Sequence, residues 1–151
     1  MTQTSEGNSN PGVQRLKRIA VIGCGSLGTQ IAIELSSSGN IVIVIDKDPK
    51  SFSALPSHLL ESSRVVTAIG DGTQEISLRQ AGVQDVDLLI AATTRASVNL
   101  MSGQLARHVM RIPVVVCLVN DSNLLPIYEN LRIKVINPDG LLMEAIKDGL
   151  D

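Results

Sequence analysis

Aromatic residues are almost missing from this chain: one phenylalanine, one tyrosine and no tryptophan. Base-stacking platforms need aromatic faces, so a single-strand nucleic-acid binder is disfavoured. Charge of one sign is lacking too. The formal net charge of −2 offers no electrostatic footing for non-specific nucleic-acid binding. Cysteine is scarce: Cys24 and Cys117 each lie in or beside an apolar run, and their spacing matches no zinc motif. Two reduced thiols in a cytosolic protein are expected. There is no secretory apolar segment at the start and no run long enough to span a bilayer. The expectation is a soluble, cytoplasmic protein with no direct membrane insertion, any membrane role coming through a partner.

What is present is aliphatic. Hydrophobic residues make up 44%, and with so few aromatics the core must be Ile, Val, Leu and Ala. That suits a parallel sheet buried under helices on both faces. The most informative stretch is Ile19-Ala-Val-Ile-Gly-Cys-Gly-Ser-Leu-Gly28. An apolar run ends in three spaced glycines, and an apolar-periodic segment follows: strand, turn, helix. Gly23 allows the tight turn. Gly25 leaves no side chain between the backbone and a pyrophosphate. Gly28 lets the helix pack closely on the strand. The free N–H groups of Cys24, Ser26 and Leu27 and the helix dipole then favour an anion.

Residues 1–16 are polar and small at the start, and read as a disordered tail; residues 17–151 read as one nucleotide-binding domain. Strands are predicted at about 17–22, 41–45, 64–68, 87–91, 113–119 and 134–136. Helices are predicted at about 26–38, 50–55, 74–81, 97–110 and 141–147, with a short one carrying Pro126 in its first turn. Strands alternate with helices throughout. The fold class is α/β, a Rossmann-like doubly wound parallel sheet of about six strands with helices on both faces.

Three strand ends carry the candidate ligand contacts. Asp46 ends strand 2, where an acid accepts from both hydroxyls of an adenosine ribose and repels a 2′-phosphate. Lys47 beside it weakens that exclusion slightly. The alternative is that Asp46 and Asp48 cap the helix behind Pro49. Gly70-Asp71-Gly72-Thr73 ends strand 3; Asp71 either accepts from an adenine amine or forms an Asx turn, with Thr73 as N-cap. Ala92-Thr93-Thr94 ends strand 4, where small residues leave room for phosphates or a second nucleotide half. The Thr hydroxyls either bond to that ligand or cap the next helix. His58, in a polar loop, and His108, beside Arg107 and Arg111, are the only histidines, and no His–Asp, Ser–Lys or Tyr-x-x-x-Lys arrangement falls near the predicted crevice. The reading is a binding protein and not an enzyme. Apolar residues in excess of one stripe on the 97–110 helix, and at Leu124, Leu125, Ile127 and Tyr128, suggest a subunit interface.

With these pieces together the chain resembles the TrkA N-terminal (KTN/RCK) family of potassium-uptake regulators. The resemblance covers about residues 17–148. It rests on the glycine stretch, Val44-Ile-Asp-Lys-Asp48, Ala68-Ile-Gly-Asp-Gly-Thr73, Leu78-Arg-Gln-Ala-Gly82 and Asp87-Leu-Leu-Ile-Ala-Ala-Thr-Thr94, with Asn99, Val119-Asn-Asp121 and Val135-Ile-Asn-Pro138. It implies a regulatory subunit binding NAD(H) or ATP/ADP/AMP at the strand ends. It also implies a homodimer or higher ring at the inner face of the membrane, gating a potassium channel or transporter subunit. The chain departs from the family pattern at Ser26, often Arg, and at Arg95 and Ala96, often acidic. Leu118 stands where a basic residue is common, and the family's usual second ligand-binding domain does not follow. The readings left open are a small NAD-dependent oxidoreductase and a nucleotide-sensing scaffold of another transport system.

Overall fold

The computed structural model describes residues 15–150. The tail expected at 1–16 therefore lies outside the described residues except for Arg15 and Leu16. Six strands form one parallel sheet: β1 Arg18–Ile22, β2 Ile41–Asp46, β3 Val65–Ile69, β4 Leu88–Ala91, β5 Val114–Leu118 and β6 Lys134–Ile136. Their spatial order is β3-β2-β1-β4-β5-β6. The order reverses between β1 and β4, so a crevice opens above their carboxyl ends. Register is continuous across that seam, Ile22 pairing with both Ile45 and Ala91.

The α-helices are α1 Ser26–Ser37, α2 Ser57–Glu61, α3 Glu75–Gln80, α4 Ala96–Gln104, α5 Leu125–Glu129 and α6 Pro138–Asp148. Aliphatic residues alternate between two cores. Ala20, Ile22, Ile43 and Ile45 face α3 and α4, meeting Leu78 and Leu100. Ile19, Val21, Val42 and Val44 face α1 and α2, meeting Ala32 and Leu59. Residues buried on both sides of a strand explain why β1 and β2 read as unbroken apolar runs.

Two elements differ from the sequence reading. Pro56 does not merely end a short helix: after the 3-10 turn Pro49–Ala54 it opens α2, which carries His58 on a helix and not in a loop. A proline ahead of a helix costs nothing, because the first amides have no intrahelical partner. The single helix predicted at 97–110 is α4 followed by a π-helical turn, Leu105–Val109. Helix α1 seats on the sheet through its small side, Gly28, Ala32 and Ser36, as the close packing expected at Gly28 requires. Leu27, Ile31 and Leu35 border an open apolar groove of about 710 Å³ with Ile90, Val116, Leu118 and Ile136.

Much of the apolar excess on α4 and α5 is absorbed inward: Leu100 is buried, and Leu105, Leu124 and Tyr128 pack against the core. The large unpartnered surface lies elsewhere. Helix α6 has no buried residue and exposes Leu141, Leu142, Met143 and Ile146. Its start is anchored: Asn137 accepts from the Gly140 amide at 3.0 Å, and the Asp139 amide donates to the Asn120 side chain at 3.3 Å. Among the described residues no helix is long and apolar enough to cross a membrane.

A Cβ at Gly28 would overlap the Gly23 carbonyl oxygen, a backbone atom that has no rotamer to escape by. Gly28→Ala is therefore expected to destabilise the protein by about 2–3 kcal/mol in urea denaturation, an overpacking cost.

Candidate functional site

The glycine loop is built for two different closenesses. Gly23 turns the chain at φ +98°, and its N–H donates to Ile45 O at 2.8 Å. Gly28 seats α1 on that turn. Gly25 does neither. Its φ of −78° suits any residue, and a Cβ there would meet nothing within 4 Å. No packing among the described residues calls for glycine at this position; what a side chain would fill is open space before the helix. The N–H groups of Gly25, Ser26 and Leu27 find no acceptor among the described residues, and α1 has neither a side-chain cap nor an acidic residue in its first turn. This leaves the positive end of the helix directed at that space. Cys24 turns the other way: its N–H donates to Asp46 Oδ2 at 2.8 Å and its thiol is buried beside Thr29.

Asp46 thus braces the loop as well as facing the crevice. Its Oδ1 accepts from the Asp48 amide at 2.9 Å. Asp48 is the cap, accepting from Lys50 N–H at 2.9 Å. At the end of β3, Asp71 forms the Asx turn considered above, accepting from the Thr73 amide at 2.9 Å and from its hydroxyl at 2.6 Å. The Thr73 hydroxyl is therefore no N-cap; α3 starts behind Gln74 with no side-chain cap. The Thr73 hydroxyl, then its amide and the neighbouring Lys47, hold the Asp71 carboxyl below the usual range.

Asn99 ties the end of β4 to that of β5. Its Oδ1 accepts from the Thr93 amide at 2.9 Å and the Thr93 hydroxyl at 2.6 Å, while its Nδ2 donates to Leu118 O at 2.8 Å and Thr93 O at 3.0 Å. The Thr93 hydroxyl is committed inside the protein, and the exposed Thr94 is the threonine left to face a ligand. One turn later on α4, buried Ser102 donates to Gly72 O at 2.7 Å, tying in the end of β3. One helix therefore organises three loop ends. Ser102 escaped the sequence reading. Its signal was modest: two polar residues, Asn99 and Ser102, three apart in an apolar helix.

Two adjoining cavities share Gly23, Asp46, Thr93 and Thr94. One, of about 220 Å³, lies among Asp46, Lys47, Gly70, Asp71, Gly72 and Arg95. The other, of about 540 Å³, lies among Gly25, Ser26, Leu27, Ala92, Asn120, Asp121 and Asp139. The sequence candidates are brought together along this crevice except Cys24 and Gly28, which sit behind it. The lining residues that sequence reasoning did not assign to the site include Ser51, Val98, Asn120, Asp121, Pro138 and Asp139. The first cavity carries both cations, Lys47 and Arg95, beside Asp46 and Asp71; the second carries three carboxylates, Asp46, Asp121 and Asp139, and no Lys or Arg. No cluster of three or more metal-capable side chains occurs among the described residues. His108 lies away from the crevice, with Arg107, Arg111 and Arg132.

The family model of the TrkA-N domain matches residues 19–138. The chain belongs to the TrkA-N family. A Trk system potassium uptake protein TrkA of Streptomyces coelicolor is 30% identical over 118 residues, which are 78% of this chain and 51% of that one. This TrkA-N chain thus spans about half the length of that relative. Among solved structures, the TrkA-N domain of the inner membrane protein ybaL from Escherichia coli superposes with a TM-score of 0.76 at 14% identity, covering 92% of this chain and all of that one. The Shewanella denitrificans Kef C-terminal domain in AMP-bound form gives 0.66 at 21% identity, covering 87% and 79%. The GsuK channel bound to NAD gives 0.63 at 14% identity, covering 83% and 22%. These likenesses establish the Rossmann-like fold.

In this TrkA-N chain both thiols are buried. Burial pushes Cys117 up to about 12, and Cys24 is also raised, first by burial. Neither should react with a thiol-specific disulfide reagent at pH 8 in the native state, and both should in denaturant. Asn99→Ala, which strips four hydrogen bonds from a buried site, should cost about 2–4 kcal/mol in chemical denaturation.

Proposed function

We propose that this chain is a cytoplasmic, non-catalytic regulatory subunit that binds NAD(H) or an adenine nucleotide and controls a membrane potassium channel or transporter. The observation that carries the reading is Gly25: an unstrained glycine with open space before it, at the unobstructed N-terminus of α1, beside the Asp46 carboxylate. Pyrophosphate on the free amides, adenosine toward Asp46 and Gly70–Gly72, and a second nucleotide half toward Ala92 and Asn120 is the arrangement this geometry supports. Residues of the crevice fit such a ligand.

Within the nucleotides, the charge distribution favours NAD. Ser26 offers no cation, and Asp121 and Asp139 face the cavity where terminal phosphates of ATP would lie. A nicotinamide riboside carries no such excess of negative charge. The name of the Streptomyces relative supports a role in potassium uptake, and the NAD- and AMP-bound neighbours support the ligand class. Self-association is part of the proposal. The apolar groove beside α1 and the unpartnered apolar face of α6 are complementary surfaces of one chain, and their mutual burial in a homodimer or ring would remove both from water. A ligand would then act by preferring one shape of the assembly.

Calorimetry with NAD, NADH, AMP, ADP and ATP tests the ligand. NAD or NADH should bind with micromolar affinity and ATP more weakly, and Asp46→Ala should weaken NAD by at least about tenfold, the value of a charge-assisted ribose bond. Unchanged affinity would remove the ribose role from Asp46. Loss of potassium uptake on deletion in the source cell tests the physiological role.

A further inference from the structure

Lys47 follows Asp46 directly, so its ammonium is the cation nearest in sequence to the carboxylate assigned to the ribose. A cation at that place is what a 2′-phosphate would need. In this structure Lys47 Nζ instead lies 3.3 Å from Asp71 Oδ2, across the gap between the ends of β2 and β3. The two partners are unequal. Asp71 is anchored through its other oxygen by the Thr73 amide and hydroxyl. Its side chain is 21% exposed, whereas that of Lys47 is 70% exposed. The fixed acid sets where the flexible base goes.

Resting on the nucleotide reading, we propose that Asp71 is a specificity-determining residue that acts through Lys47. By drawing the ammonium onto the turn after β3, it keeps the cation off the ribose 2′ position and leaves Asp46 to select an unphosphorylated ribose. An exposed ion pair is weak, so the effect is a bias of several-fold and not an absolute block. Two other charges act on a 2′-phosphate here. Arg95 lines the same cavity, and the Asp71 carboxylate itself repels a phosphate. A double-mutant cycle separates both from the pairing, because Arg95 is present in all four arms and the Asp71 carboxylate is present or absent in pairs of them.

The experiment titrates AMP and adenosine 2′,5′-bisphosphate into the full chain by calorimetry, for the wild type, Asp71→Asn, Lys47→Met and the double variant. The wild type should prefer AMP. Asp71→Asn should shift the affinity ratio toward the bisphosphate by about tenfold, Lys47→Met alone by less than about twofold, and the double variant by no more than about threefold. Equal shifts in Asp71→Asn and in the double variant would show that Lys47 is not the intermediary and would overturn the proposal. So would a strong loss of bisphosphate affinity in Lys47→Met alone, since Lys47 would then already reach the 2′ group. Asp71→Ser, which keeps a polar partner for Thr73, carries the same prediction if Asp71→Asn fails to fold. Should the wild type bind neither AMP, the bisphosphate nor NAD, the nucleotide reading itself fails and this inference with it. Binding with an unaltered ratio sinks only the inference.

Discussion

The contact between Gly28 and the Gly23 carbonyl governs the rest of this structure. It lets α1 lie against the end of β1 closer than any side chain would permit. That closeness has two consequences. It seals the small strip of α1, Gly28 with Ala32, over Val21 and its neighbours. It also brings the N-terminus of α1, with unsatisfied amides and a positive dipole end, to the point where strand order reverses. Fold and site are here consequences of one steric fact.

The crevice is held by polar contacts of a different kind. Asp46 braces the glycine loop through the Cys24 amide, Asp71 braces its own turn through Thr73, and α4 ties the ends of β3, β4 and β5 together through Asn99 and Ser102. The buried polar side chains are all satisfied among the described residues. Satisfied buried networks are rigid and specify one arrangement. The crevice is thus a largely formed cradle, whereas the apolar face of α6 and the groove beside α1 are left uncovered among the described residues.

Much of this was legible in the sequence because short-range chemistry dictated it. Unbroken aliphatic runs, spaced glycines and Pro or Gly at the element ends mark strands, turns and helices without reference to distant residues. All six strands and the glycine loop follow from such local rules. So does Asp46 at the end of β2, because the strand's length and the turn after it place the acid. The misreadings arose where one side chain has competing partners. Thr73 looked like a cap, but Asp71 two residues earlier claims its hydroxyl. Thr93 looked free for a ligand, but Asn99 claims it. Ala106 and Met110, four apart, both reach the core as a period of 3.6 anticipates, but the π turn Leu105–Val109 that carries them does not follow from that period.

By itself, the sequence determined the fold class and the position of the crevice, since each depends on the steric and electrostatic properties of residues adjacent in the chain. Only the tertiary structure decided which of those side chains remain available. Asp71 and Lys47 are distant in sequence, and whether a cation faces the ribose or a neighbouring carboxylate depends on two strand ends lying side by side. The same holds for the leucine stripe of α1. Its periodicity is local, but the groove it borders exists because nothing among the described residues folds back over β5 and β6 on that face. Availability is a property of neighbours in space, and it emerges when the parallel sheet sets its strand ends together.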